Sequence, residues 1–564
     1  MSVFGNTPDS PIEMAHSYFD GGCMDGDLAY IESLYSVPAF FHLTEIGVGF
    51  PKNEYGAYVG YKTDHDPRQR ATSAGPETSK FMFECLYKEI IKREIPIYDN
   101  HTAVKIVSDN KRVCGLVAIN REKSSDESLG ITSFSCANIV LAGGGPGEMY
   151  AQSVLPPGQV SLHGIAFEAG AGGVNLGECQ FGTASVKFRW NLSGSYQQVI
   201  PSYFSLDSDG KRYDFLSDYF NGLAEECSMI FLKGYQWPFN AQKFLDNGSS
   251  RVDIAVENEI RKGRKVFMDF MNNPGFTKAL DFSILSDEAR DYLNKCGCVH
   301  NTPYERLAHM NPASIEIYTR HNIDLKEPLE IAVSFQHNNG GIKIDDHYQT
   351  DVKGLFAIGE CAGSHGVNRP GGSALNAGQV GGIRAAEFIA EQNTSINTDE
   401  DLLAEAVQDV YVVSKSMLNA KDNQKVIRKK IQQRMTKSAA FLRPKESVSA
   451  AIADAQSEIG DFPGAKNAEE LSEAWETRSL QISHVAYLKS IEYYISNGGG
   501  SRGSYLILEN DKPRIENEKD RKRQVVIDSK MNVYSKEVKP LPIDESWFET
   551  VWAQTRKFNH ENPK

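Results

Sequence analysis

The chain has 564 residues, with 60 Lys and Arg against 74 Asp and Glu, a formal net charge of −14. So acidic a chain offers no basic face for a phosphate backbone, which excludes a nucleic-acid binder, and no window holds the roughly 18 continuous apolar residues of a membrane helix. The hydrophobic share of 40% is that of a folded globular protein, and at about 150 residues per domain the length allows about four units.

The start, MSVFGNTPDSPIEM, lacks a basic n-region and an apolar core, so a cytoplasmic location is the default expectation. Nine thinly spread cysteines fit a reduced compartment. Cys296-Gly-Cys298 is the one close pair, and with no second cluster it completes no four-thiolate metal site. Two β-type runs, RVCGLVAIN and ITSFSCANIVLA, occupy 112–142. The second delivers its end to Gly143-Gly144-Gly145-Pro146-Gly147, a strand running into a glycine loop. Within 161–173, GIAFEAGAGG reads as a short small-residue helix. Residues 185–330, with Trp190 and Trp237 and turn signals at Asp209-Gly210 and Asn247-Gly248, read as a separate α+β domain.

A second apolar strand, LFAIG from Leu355, runs into another glycine-rich turn and a helix, GIRAAEFIAEQ. Ligands of open α/β sheets sit outside the carboxyl ends of the strands, so the two distant turns are expected at one site. Residues 401–495 are helical by periodicity. Within them the basic run KVIRKKIQQRMTK reads as a solvated helix face. The segment 506–564 reads as a charged, irregular tail ending in WFETVW.

The stretch from His365 to Asn376, HGVNRPGGSALN, is the most informative. An arginine braced by small residues, then glycines opening a helix, gives a fixed cation beside free amides and the positive end of a helix dipole. That arrangement suits an anion or an electron-rich ring. A plain strand-to-helix turn with an exposed arginine would carry the same residues.

The run GLFAIGECAGSHGVNRPGGSALNAGQVGGIRAAE resembles the C-terminal flavin signature of the fumarate reductase, succinate dehydrogenase and L-aspartate oxidase flavoprotein superfamily. GDLAYIESLYSVPAFFHLTEIGVGFP, IVLAGGGPGEMY, AGAGGVNLGECQF, SSRVDIAVENEIRKG, QHNNGGIKID, IQQRMTKSAAFLRP and GSRGSYLI add similar stretches in order along nearly the whole chain. The resemblance implies an α/β fold: an FAD-binding, Rossmann-like domain in two segments (1–180 and 336–395), an inserted α+β capping domain (181–335), a helical domain (396–500) and a C-terminal tail (501–564).

It also implies roles. Gly143, Gly144 and Gly145 fall on a cofactor-facing turn, and Glu360 resembles the acid that holds the flavin's ribityl or ribose hydroxyls. Gly371, Gly372, Ser373, Ala374 and Leu375 resemble the turn whose amides meet the isoalloxazine, where charge accumulates on reduction. Arg369 resembles the bidentate clamp on a substrate carboxylate. Arg251 resembles the arginine that moves the substrate proton, with Glu257 or Glu259 as its help or as plain helix-surface partners.

Three departures bear on function. Gln180-Phe181-Gly182 stands where fumarate-handling members carry a histidine after the Gln-Phe pair. The second active-site histidine falls on Gln336, with His337 one residue later. His163, His309, His321 and His365 read as structural or surface residues. The third departure is that the match begins at about Gly5, downstream of the family's strand, G-x-G-x-x-G and helix, the seat of the FAD pyrophosphate. The expectation is a sequence lacking roughly 40–50 residues of that unit, rather than a natural variant of weakened FAD affinity. A covalent flavin site would lie in that portion.

The expected function is FAD-dependent hydride transfer at a carbon–carbon bond beside a carboxylate or carbonyl. The alternatives are amine oxidation of the L-aspartate oxidase type and an FAD-less assembly subunit. The expected partners are a small carboxylate or enone substrate and an electron-transfer protein such as an iron–sulfur subunit. Trp190, Tyr196 and Trp237 are candidates for apolar pocket walls or for the capping-domain core.

Overall fold

The computed structural model describes residues 9–61, 63–109, 112–392 and 399–542; the WFETVW segment lies outside them. The chain opens with α1 (Pro11–Phe19), started by Ser10, whose hydroxyl accepts from Glu13 N at 3.2 Å, and α2 (Gly26–Glu45). After a long loop, α3 (Thr78–Lys92) leads to a three-stranded antiparallel meander, β1 (His101–Ser108), β2 (Val113–Asn120) and β3 (Ile131–Ser135). The run expected as one strand breaks at Cys136, because Asn138 begins a new direction: β4 (Ile139–Leu141) pairs in parallel with β13 (Leu355–Ala357). These two short strands are the parallel sheet, and the second edge of β4 pairs with no strand among the described residues.

Between them come α4 (His163–Glu168), β5 (Gly173–Val174) and the capping domain. Its antiparallel six-stranded sheet has the order β7-β6-β11-β10-β8-β9, from β6 (Cys179–Ser185), β7 (Trp190–Asn191), β8 (Ser202–Leu206), β9 (Arg212–Tyr213), β10 (Lys265–Asp269) and β11 (Leu329–Asn338). The sheet is covered by α5 (Ser195–Gln198), α6 (Leu223–Lys233), α7 (Ala241–Leu245), α8 (Arg251–Arg261) and α9 to α11 (Asp287–Lys295, Pro303–Met310, Pro312–Arg320). β6 and β11 are buried along their whole central length, as strands covered on both faces must be. Both cross the domain limits expected near 180 and 335 and carry the cap directly into the FAD domain.

After β12 (Gly341–Ile342), the 20-residue α12 (Ser373–Gln392) packs on α2. The helical region is α13 (Glu400–Leu418), α14 (Gln424–Ser438), α15 (Lys445–Glu458) and α16 (Leu471–Ser496), the last largely buried. Within the segment expected as an irregular tail, the described residues 506–542 form strands. β15 (Leu506–Glu509) pairs with β14 (Leu442–Pro444) in parallel and with β16 (Lys512–Pro513) antiparallel, while β17 (Arg523–Ile527) joins both β18 (Val533–Glu537) and β5. Gln-Val-Val-Ile of β17 is buried, which its charged flanks concealed.

Candidate active site at the cap and FAD-domain boundary

β11 and β6 converge with the glycine-rich turn before α12 on a buried polar cluster. Arg369 is 9% exposed. Its Nε and Nη2 donate to Gln180 Oε1 at 2.9 and 2.7 Å, and its Nη1 donates to Pro370 O at 3.1 Å. A guanidinium has five N–H donors, so the outer Nη edge keeps two. Burial pulls the Arg369 pKa down, against the opposing pull of Asp64 and Glu360.

Gln336 Nε2 donates to Gly182 O at 3.0 Å, which leaves its buried Oε1 with no hydrogen-bond partner. His337 Nδ1 lies 3.1 Å from Asn339 Oδ1, while Asn339 Nδ2 donates to Gly366 O and Val367 O. That network assigns the proton to Nδ1 and leaves Nε2 an acceptor. Burial, with Arg369 and His365 adding to it, holds His337 well below the usual histidine range, so the ring is neutral. Behind it, His365 Nε2 stands 3.2 Å from Glu32 Oε2, and Asn376 donates to the other oxygen of Glu32.

The space opened by Gly182 is filled. A Cβ there would meet the Trp237 ring at 2.7 Å, and the indole N–H donates to Thr183 O at 3.1 Å. Trp237 therefore packs on β6 at Gly182, Tyr196 lies in the cap core with its hydroxyl on Ser314 O, and half-buried Trp190 stacks on Phe188.

Arg251 is engaged within the cap. Its guanidinium donates to Tyr219 O at 2.8 Å, pairs with Glu225 and lies over the Phe220 ring. None of these contacts joins it to Arg369. Glu257 pairs with Arg261 one turn on, and Glu259 with Lys262 and Arg264, so neither supports Arg251. The sequence reading missed Asp64, which stands at the turn that carries Arg369, and Lys243, whose charge acts on Asp64. Asp-His-Asp at 64–66 lies in a loop without periodicity, and only the fold brings it to Gly371.

The cofactor-facing residues form a second group. At the carboxyl end of β13, Glu360 accepts from Asn338 N at 2.9 Å, and burial raises its carboxyl to about 7. A Cβ on Gly145 would stand 2.3 Å from Glu360 Oε1 and one on Gly143 2.6 Å from the Leu162 side chain, while Gly144 holds a φ of 65°. In the first turn of α12, Ala374 and Leu375 amides have no intrahelical acceptor, and Leu375 is 42% exposed. Gly371, Gly372, Ser373 and Leu375 line a cavity of about 810 Å³ whose far walls are aromatic, Phe40, Tyr58 and Tyr61 among them. Free amides at a helix N-terminus, an acid at a strand end and a chamber of mixed aromatic and polar lining fit the flavin and ribityl part of FAD. The pyrophosphate end calls for a glycine turn and helix beside β4, and the described residues supply neither there.

The FAD binding domain family matches residues 3–375. The chain is 23% identical to a subunit of the CoM/CoB fumarate reductase of Methanothermobacter marburgensis, over 74% of this chain and 69% of that one. It is 26% identical to the fumarate reductase flavoprotein subunit of Escherichia coli, over 60% of this chain and 51% of that one, so it spans about half of that relative. The E. coli quinol fumarate reductase structure superposes with a TM-score of 0.69 at 18% identity, covering 97% of this chain and 89% of that one, a likeness of fold.

The fold and site define a flavoprotein with FAD as its cofactor. The chain belongs to the FAD binding domain family, within the FAD-dependent oxidoreductases similar to fumarate reductase and succinate dehydrogenase flavoproteins. No helix among the described residues is long and apolar enough to cross a membrane.

Proposed function

We propose that the chain transfers hydride at a carbon–carbon bond next to a single carboxylate or a carbonyl, with a monocarboxylate or bulkier enoate or enone preferred over a dicarboxylate. Bound FAD supplies the hydride chemistry at its N5. Glu360 would hold the ribityl or ribose hydroxyls, and the Ala374 and Leu375 amides the electron-rich end of the ring, where a helix N-terminus favours negative charge. Arg369 holds the substrate's anionic group on its outer edge, Gln180 fixing the guanidinium plane. An electron-transfer protein, such as an iron–sulfur subunit, is the proposed partner.

The observation that carries the preference is the direction of the polar groups around Arg369. Gln336 offers a carbonyl oxygen and His337 an acceptor nitrogen, where a second carboxylate needs donors. Each missing hydrogen bond to a charged group is worth about 1.5–3 kcal/mol, so two together weaken fumarate or succinate by roughly two to four orders of magnitude.

Steady-state assays of FAD-loaded protein with reduced viologen as donor test this. Fumarate should be a poor acceptor beside crotonate and larger enones. Efficient fumarate reduction at micromolar concentration would overturn the preference, and purified protein that takes up no flavin, with no band near 450 nm, would favour an assembly subunit.

A further inference from the structure

The hydride reading leaves the proton unassigned, since Arg251 is committed inside the cap. The loop between α2 and α3 supplies a candidate. Gly371 N donates to Asp64 O at 3.0 Å, Thr63 Oγ1 donates to Gly371 O at 3.2 Å, and a Cβ on Gly371 would stand 2.7 Å from Asp64 Oδ1. These contacts clamp Asp64 beside the turn that carries Arg369. Asp64 Oδ2 is buried and has no hydrogen-bond partner. The next residue, His65, is held at φ 55°, the left-handed region that a histidine rarely occupies.

α7 of the cap carries Lys243. Its ammonium makes no hydrogen bond or ion pair with the described residues, yet it lies within the field of Asp64, His65 and Lys233. Lys233 itself is fully buried and paired with Asp253 at 2.7 Å, so its charge is spoken for. An open carboxylate oxygen from the FAD domain thus stands at the turn that carries the arginine, with an unpaired amine of the cap in its field.

We propose that Asp64 is the catalytic residue that gives the proton to, or takes it from, the substrate carbon, with Lys243 as the positioning charge that sets its ionisation; this rests on the hydride-transfer reading above. In the reducing direction a hydride from the reduced flavin dinucleotide forms one new C–H bond. The C=C π pair forms the second with the Asp64 proton, and the carboxylate left behind is reprotonated from water. In oxidation Asp64 takes the proton, the C–H pair becomes the π bond, and the hydride leaves to oxidised flavin.

The charged groups facing Asp64 are Arg369 and Lys243, which favour its ionised form, and Asp66, which opposes it; His65 is held neutral by burial, down to about 4. Burial outweighs the cations and lifts the Asp64 carboxyl to about 6. The acid form is therefore available below that pH and the base form above it. Reduction should fall, and oxidation rise, as pH passes about 6.

The test uses crotonate as the probe. In FAD-loaded protein, Asp64→Asn should lower kcat by about 10²–10⁴-fold, the usual worth of a positioned acid or base, and should erase the limb near pH 6. Lys243→Met, by removing a favourable cation, should move that limb to higher pH, a shift that a merely structural lysine would not produce. Calorimetry of crotonate binding in two buffers of different ionisation enthalpy at pH 7 gives a readout independent of turnover. The anion beside Asp64 should draw up to about one proton into the wild type and none into Asp64→Asn. An Asp64→Asn enzyme that keeps its rate and its pH limb, or that takes up the same proton, overturns the proposal. A loaded wild type that reduces no enoate overturns the hydride reading instead, and the proton count then decides the place of Asp64 by itself.

Discussion

Around Arg502 and along α3 the same domain treats its side chains in opposite ways. The Arg502 side chain is fully buried, and its Nε and Nη2 donate to Glu178 Oε1 at 3.1 and 2.6 Å, its Nη1 to Asp520 O at 3.0 Å, while Tyr505 donates to the same glutamate oxygen. On α3 and the chain that follows, Phe83 is 64% exposed, Ile91 54%, Ile95 50% and Tyr98 61%, and Val140 on the unpaired edge of β4 is 42% exposed. The difference shows which side of the FAD domain is complete among the described residues. The side that meets the cap has paired strands in β6 and β11 and, at Arg502, a matched buried charge. The side that would seat the far end of the dinucleotide has a parallel strand with one open edge, and parallel sheets are ordinarily covered on both faces.

The largest effect should come from the matched side. Arg502→Met would strand Glu178 without its cation, and breaking a buried pair costs about 3–5 kcal/mol. Urea denaturation should register that loss, and an unchanged midpoint would break the claim that this network closes the domain.

Gly182→Ala comes next. Its Cβ would press at 2.7 Å on the Trp237 ring, which its hydrogen bond to Thr183 O holds in place, and overpacking costs about 1–3 kcal/mol. Denaturation, together with a change in tryptophan emission, should report it.

The cofactor end gives a smaller, pH-linked effect. Glu360 has a raised folded-state pKa of about 7, so its ionisation in the flavin-free chain is a cost that grows as pH rises from its unfolded value through 7. Hydroxyls donating to the carboxylate would relieve that cost. FAD should therefore bind more tightly as pH rises through about 7, by about tenfold or 1.4 kcal/mol for each unit of pKa relieved. Glu360→Gln should flatten the dependence in a fluorescence titration of FAD.

The smallest effect belongs to the open side. Phe83→Ser and Ile91→Ser should change stability by no more than about 0.5 kcal/mol, as expected for surface positions, whereas a covered phenylalanine would cost several-fold more. A large loss of stability from either variant would show that this face is packed in solution and would sharpen the contrast in the opposite sense.

Much of this molecule is written locally. Strand, glycine turn and helix at 139–147 and 355–392 are short-range patterns, because β-branched runs, positive-φ glycines and helix N-termini depend on neighbours in sequence. Glu360 and Arg369 sit in the second of those patterns, and β11 brings Gln336 and His337 to them. The helical region at 400–496 was equally legible from its apolar period.

What the sequence alone left open is everything that depends on distant segments meeting. β17 was concealed by charged flanks, since burial there comes from pairing with β5, some 350 residues earlier. Trp237 in the place left by Gly182, Arg251 turned to Glu225, and Asp64 clamped to Gly371 have no local signature. A charged or aromatic side chain acquires its role from the dielectric and the partners around it, and those are set only when the cap closes on the FAD domain.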